Sequence, residues 1–371
     1  MKAVGLTFFD HWRKMENVAT FVDEILFDYY QKIHQYEENN WDIYRFGFDG
    51  IDRSKDFNIQ RHLNYFKFFI SNADGIFSNY LLLTDNESKQ WLKNIILFRL
   101  LGHLHVRLLT NTSAYWNSCE NVKNMSLGNS DLNFEGLLGP LSKFKINFEN
   151  HEISLDCWWQ SIVWTFLFKQ YHFARNNIHI RPEEGDYIID AGACFGDTSL
   201  AFAACTGEFG KIFSFDIVPN HIEVMRHNFK KNAELAKNIE LHCWGLGNEH
   251  KISDSVGIVN DNTVKPGASL STDLNGMVTS VTTIDQFTSD NKIEKIDFIK
   301  MDIEGEELNT LKGAVDTLRL HKPKLAISLY HKPEDIIEIP KFINDLGLGY
   351  KLYLDHYTIH AEETILYATA R

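Results

Sequence analysis

The sequence predicts an open, doubly wound α/β sheet of seven mostly parallel strands, preceded by a mainly helical N-terminal domain and a small β-hairpin region. Three observations carry this expectation. From Arg181 onward, short apolar runs alternate with helical segments, the pattern of parallel strands joined by crossover helices. Between Phe57 and Leu109, apolar residues instead recur at helical spacing. Between these regions, KFKINF and HEISLD alternate apolar and polar residues around Glu149-Asn150, which reads as a hairpin. The domain boundaries that follow are 1–135 (helical), 136–180 (hairpin and connecting helix) and 181–371 (sheet).

In the helical region, Leu63, Phe66, Phe69 and Ile70 share one face, as do Trp91, Ile95, Leu97 and Leu101. Asp85 followed by Ser88 and an apolar run predicts a helix start. The stretch from Asn111 to Asn133 is rich in Asn and Ser and is expected to be a loop. The predicted sheet strands are Tyr187–Asp190, Lys211–Asp216, Ile239–Trp244, Phe298–Asp302, Lys324–Leu329, Lys351–Leu354 and Thr364–Ala368. Ser253 to Thr279, rich in Gly, Ser and Asn, is expected to be a long loop or weak hairpin.

Composition narrows the partners. A net charge of −13 disfavours a large nucleic-acid footprint, because phosphate binding needs Lys and Arg to displace counterions. The five cysteines form no C-x-x-C pair, which argues for free thiols rather than a disulfide framework or a zinc site. Met1 to Trp12 lacks the layout of a signal peptide, and no apolar run is long enough to span a bilayer. A cytoplasmic location is therefore expected.

The sharpest motif is IIDAGACFGDTSLAFA, Ile188 to Ala203. A strand ends at Asp190, Gly192 and Gly196 permit a tight turn, and a helix begins near Thr198. The dinucleotide fingerprint fails here, because Cys194 and Asp197 stand where its second and third glycines belong. Asp197 would also repel a pyrophosphate at the helix N-terminus. S-adenosylmethionine carries no phosphate. Its ammonium group suits Asp190 or Asp197, and its carboxylate suits backbone N–H groups and the Thr198 hydroxyl. Asp216, about 20 residues after Gly196, is placed to accept ribose hydroxyls. Gly245, in Trp244-Gly245-Leu246-Gly247, would allow adenine a close approach. Tyr171, in KQYHF, is expected on a helix that folds over the cofactor, or in the core.

These segments resemble the FkbM-type methyltransferases. The match runs through DYIIDAGACFGDTSLAFA, IFSFDIVPNHIEVMRHN, SVTTIDQF, DFIKMDIEGEELNTLKGA, KPKLAISLYHKPEDIIEIPKFINDLGLGY and YLDHYTIHAEETILYA, over roughly Trp164 to Arg371. NYLLLTDNESKQWLKNIILFRLLGH also looks like the extension of bacterial members. The resemblance implies a Rossmann-like class I methyltransferase fold, S-adenosylmethionine as cofactor and, usually, methylation of a hydroxyl oxygen. The family's second-strand acid is mostly Glu before a proline; here Phe215-Asp216-Ile217-Val218-Pro219 has a shorter acid and one more residue.

Methyl transfer to an alcohol requires alignment of acceptor, methyl and sulfur, and removal of a proton. The groups for this belong at the ends of the fourth and fifth strands. Asp302 and Glu304 fall on one face if the chain stays extended there. His331, in Ser328-Leu329-Tyr330-His331-Lys332-Pro333, is the first choice for general base, because an imidazole titrates near neutrality. Glu306 and Glu307 are expected only to complement a helix N-terminus, and Lys300 is given no role. A metal site of Asp302 and Glu304 with His356 and His360 lacks local ligand spacing, so no metal is expected.

The expected activity is O-methylation of a small-molecule or glycan acceptor, such as a sugar. The alternatives are N- or C-methylation of a small molecule, or a non-catalytic cofactor-binding module. The N-terminal region is expected to shape acceptor specificity or contacts in a homo-oligomer.

Overall fold

The computed structural model describes residues 17–38, 40–46, 59–136, 138–251, 257–260, 268–271, 277–278 and 280–370. Helix α1 (Val18–Lys32) begins at Asn17, whose side chain accepts from the amide of Thr20. Helices α2 (Ile43–Phe46), α3 (Ile59–Ser71), α4 (Ala73–Leu82) and α5 (Asn86–Leu101) follow. The expected start at Asp85 is present: its side chain accepts from the amide of Ser88 and satisfies one of the orphan donors of the first turn. Trp91, Ile95, Leu97 and Leu101 are all buried. By contrast Leu63 and Ile70 of α3 are exposed, so that face of α3 is wider than the buried one.

The expected loop over Asn111–Asn133 is corrected in its first half, which contains helix α6 (Ser113–Asn124). Thr112 caps it through the amide of Tyr115. Tyr115, Cys119 and Val122 bury one face, a 3.6-residue period that the polar composition obscured.

The hairpin is β1 (Ser142–Phe148) paired antiparallel with β2 (His151–Cys157). Glu149 and Asn150 both take positive φ, as a two-residue hairpin turn with matching twist requires. The main sheet contains β3 (Tyr187–Ala191), β4 (Lys211–Phe215), β5 (Ile239–His242), β6 (Phe298–Met301), β7 (Lys324–Ser328), β8 (Lys351–His356) and β9 (Thr364–Thr369). Its order is β8-β9-β7-β6-β3-β4-β5, with β9 antiparallel to both neighbours. All seven predicted strands are thus present, with ends shifted by one or two residues. β3 and β6 are buried along most of their length because helices cover both faces. The strand order reverses between β3 and β6, so a crevice opens at their carboxyl ends.

The described parts of Ser253–Thr279 are three short strands, Gly257–Asn260, Ala268–Ser271 and Met277–Val278, in one antiparallel sheet. The rest of that segment lies outside the described residues.

Candidate active site

A cavity of about 190 Å³ occupies this crevice. Part of its wall is the turn after β3. Gly192 and Gly196 both have positive φ, as does Cys194, a backbone region that costs a non-glycine residue energy. Gly192 is required by a close approach: a Cβ there would stand 1.9 Å from the Asp302 carbonyl oxygen. It lets the turn dock against the end of β6, and the same glycine lines the cavity. Helix α7 (Asp197–Thr206) starts at Gly196, and α8 (Pro219–Lys231) packs against the same glycine through Met225 and Phe229.

Asp216 lines the cavity from the end of β4. Its carboxylate accepts from the amides of Cys194 (2.8 Å) and Val218 (2.8 Å), with His221 Nδ1 at 3.6 Å. The acid thereby ties the turn to the neighbouring strand while lining the cavity. Sequence reasoning missed His221. Burial opposes its charge, but Cys194 and Asp216 outweigh that and hold its pKa well above the usual value. Gly245 and Trp244 also line the cavity, as do Trp158 and Trp164.

Two of the cofactor candidates sit differently from expectation. Asp190 is fully buried and does not line the cavity. It accepts from Thr198 Oγ1 (2.7 Å) and Ser199 Oγ (2.6 Å), and pairs with Lys300 Nζ at 3.2 Å. Thr198 reaches the cavity, but its hydroxyl is committed to Asp190. Asp197 does line it, accepting from Thr165 Oγ1 (2.8 Å), and burial raises its pKa.

Lys300, given no role above, is corrected. Its ammonium also donates to the carbonyls of Ala191 (3.2 Å) and Gly192 (2.6 Å), so one buried charge holds the whole turn. The alternation of side chains along β6 points Lys300 and Asp302 to the same side, a consequence of period two. Burial would lower the Lys300 pKa, but Asp190 and Asp302 raise it.

Asp302, Glu304, Glu306, Tyr330, Glu362 and Glu363 also line the cavity. Tyr171 joins them, in a turn beyond a π-helical segment (Ile162–Leu167) rather than on the expected helix. Tyr330 donates to Asp302 Oδ1 (2.8 Å) and Tyr171 to Asp302 Oδ2 (3.1 Å). Burial would raise the Asp302 pKa, yet His331, Lys300 and these hydroxyls bring it below the usual carboxylate range.

His331 does not line the cavity; its imidazole stands behind the wall, with a side-chain exposure of only 3%. Its Nε2 lies 3.4 Å from Asp302 Oδ1 and 3.6 Å from Glu304 Oε2, and its Nδ1 lies 2.9 Å from Glu307 Oε1. Burial opposes the charge, but Glu307, Asp302 and Glu304 push its pKa up to about 10. An imidazole that keeps its proton at neutral pH is poorly suited to take another, which counts against the general-base expectation. Glu307 is likewise more than a helix-terminus charge, since it is buried and also accepts from the Ile303 amide (2.8 Å).

Asp302, Glu307 and His331 each bring a ligand atom within 4.8 Å of the others. However, Asp302 approaches one ring nitrogen and Glu307 the other, so the ring stands between the two carboxylates. His356 and His360 lie elsewhere. His356 bonds Thr364 Oγ1 (2.9 Å), and burial lowers its pKa to about 3. His360 lies 3.6 Å from Asp42.

Sheet order, crevice, glycine turn and the acid at the end of β4 together define a methyltransferase fold of the Rossmann-like class. Residues 190–352 match the model of the methyltransferase FkbM domain. This part of the chain is therefore similar to the methyltransferase FkbM domain. The chain is similar to the crystal structure of a methyltransferase FkbM from Methylobacillus flagellatus KT, with 19% identity and a TM-score of 0.52. That match covers 81% of this chain and 60% of the other, so this chain spans less than two thirds of that protein's length. Weaker likenesses include a SAM-dependent O-methyltransferase from Thermotoga maritima (14% identity, TM-score 0.31, 51% of this chain and 60% of that one). Another is Aeropyrum pernix fibrillarin in complex with S-adenosyl-L-methionine (12% identity, TM-score 0.32, 65% of this chain and 97% of that one). No curated protein sequence matches the chain.

Proposed function

We propose that the protein transfers a methyl group from S-adenosylmethionine to a hydroxyl oxygen of a small molecule or glycan, such as a sugar. The observation that supports this most is the mixed lining of the cavity. The glycine turn, Asp216 and Gly245 suit a nucleoside with an amino-acid tail. The carboxylates and phenol hydroxyls of Asp302, Glu304, Glu363, Tyr171 and Tyr330 suit a hydroxylated acceptor.

When bound, S-adenosylmethionine supplies an electrophilic methyl group on a positively charged sulfur. The protein's part is to hold and orient. Asp216 accepts ribose hydroxyls, Gly245 admits the adenine edge, and Asp197 pairs with the ammonium group. Asp190 and Lys300 act one layer behind, fixing the turn. Tyr171 covers the site and, with Tyr330, holds Asp302 by both oxygens, so that carboxylate has little freedom left. Asp302 orients the acceptor hydroxyl and Glu304 lines its approach. His331 balances their charge as an imidazolium.

Among the described residues no helix is long and apolar enough to cross a membrane. The net charge of −13 favours a metabolite over a nucleic acid as acceptor. Incubating the purified protein with methyl-labelled S-adenosylmethionine and fractionated extract, then identifying labelled products by mass spectrometry, tests the reading. A labelled O-methyl product supports it. Label on nitrogen or carbon, or cofactor binding without any transfer, refutes it in favour of those alternatives. A chelator is expected to leave the rate unchanged; inhibition reversed by a divalent ion would place a metal beside the acceptor.

A further inference from the structure

We propose that Glu363 is the general base that receives the acceptor's proton. The inference rests on the hydroxyl-acceptor reading above and adds a residue to it.

Glu363 precedes β9 and lines the cavity, as does Asp302. Tyr330 bridges the two acids, with its hydroxyl 2.8 Å from Asp302 Oδ1 and 3.2 Å from Glu363 Oε1. A single O–H can donate to only one of them at a time, and the shorter contact is to Asp302. Gln170 donates to the other oxygen, Oε2. Both of its side-chain partners are neutral, and among the described residues no Lys, Arg or His makes an ion pair with it. The contrast with its neighbours is sharp. Asp190 has Lys300, Glu362 has Arg45 (2.9 Å), and Glu307 has His331. Glu363 shares with Asp197 the lack of an ion pair among the described residues, but it alone of these two adjoins Asp302 through a shared hydroxyl, that of Tyr330. Its backbone φ of +67° is the left-handed region, so the loop accepts strain to present this side chain.

The charges facing it are Asp302, Glu362 and, more distantly, His331. Burial first, then Asp302 and Glu362, raise its pKa to about 8, against the opposing effects of Gln170 and His331. A base is most useful when its pKa lies near the working pH. The positive charge of a bound sulfonium nearby would bring that raised pKa down towards neutrality. In the step itself, the acceptor oxygen forms its bond to the methyl carbon as the methyl–sulfur bond breaks. The sulfur leaves as a neutral thioether, and the hydroxyl proton passes to the Glu363 carboxylate.

Two measurements test this. In protein labelled with carboxyl-13C glutamate, the resonance absent from Glu363→Gln should titrate near pH 8 in the native chain without ligand. Titration in the ordinary carboxylate range overturns the proposal. With the acceptor captured as described above, Glu363→Gln should lower kcat by ~10²–10⁴-fold and remove the rise of kcat with pH, leaving S-adenosylhomocysteine affinity unchanged. Glu363→Asp, which keeps the carboxylate, should recover part of the rate. Native turnover with an unchanged pH profile in Glu363→Gln overturns the proposal. Failure of the native chain to bind S-adenosylhomocysteine would instead overturn the methyltransferase reading itself.

Discussion

At the scale of single residues, the site works through paired buried charges, and these give the clearest expectations. Asp216 accepts from two backbone amides and lines the cavity, where it is proposed to hold the ribose. Replacing it with Ala should weaken S-adenosylhomocysteine binding by about 1.5–3 kcal/mol, the scale of a hydrogen bond to a charged group. Calorimetric titration reads this directly, and an unchanged affinity would remove Asp216 from the cofactor site. His331 makes a pH statement. Its folded pKa of about 10 exceeds the ordinary value of 6.5. A raised histidine adds stability that is complete below the unfolded pKa and fades as pH rises through the folded one. The stability difference between native chain and His331→Gln should therefore be largest below about pH 6.5 and shrink towards pH 10. Thermal melts across that range would show the opposite slope if the imidazole were neutral in the folded chain.

At the scale of elements, the turn after β3 and the start of α5 are the informative cases. The sequence pattern placed glycine at 192 for a ligand, whereas the fold uses it to let the turn meet β6. Gly192→Val should lower the melting temperature and abolish cofactor binding together. A variant that folds with native stability but loses only binding would show that the ligand, not Asp302, is what needs the space. The cap at Asp85 does double duty, because Arg175 donates to it (3.1 Å) and to Asp355 (3.0 Å). The network ties the N-terminal helices to the edge of the sheet at β8. Asp85→Ala should cost about 1 kcal/mol for the lost cap, and more if the stranded Arg175 counts. Chemical denaturation measures both, and the excess should vanish in a background where Arg175 is already Met.

At the scale of the whole molecule, the helical N-terminal region is part of the site rather than an appendage. Arg45, in α2, reaches the cavity and binds Glu362 through Nε (2.9 Å) and a second nitrogen (3.3 Å). Nothing in the sequence marks a residue 317 positions away as its partner. Arg45→Ala should free the loop that carries Glu362 and Glu363. The expected result is a higher KM for the acceptor with cofactor affinity nearly unchanged. Equal loss of both would mean that the N-terminal region only stabilises the fold.

The sequence by itself determined the sheet, its seven strands, the hairpin turn, the Asp85 cap and the cofactor class. Those features are local: apolar period, turn residues and a short motif each lie within a few neighbouring positions. Helix α6 was local too, but its polar composition hid a buried face of three residues. Only the tertiary structure decided which acids face the cavity and which stand behind it. Asp190 and His331 look exposed in sequence because they end strands, yet Lys300 and Glu307 enclose them. Likewise Glu363, beside its chain neighbour Glu362, becomes a base candidate only where burial meets Asp302 and Tyr330, from two other segments. A titratable group takes its chemistry from the charges around it and from lost solvent, and neither is written in the order of the chain.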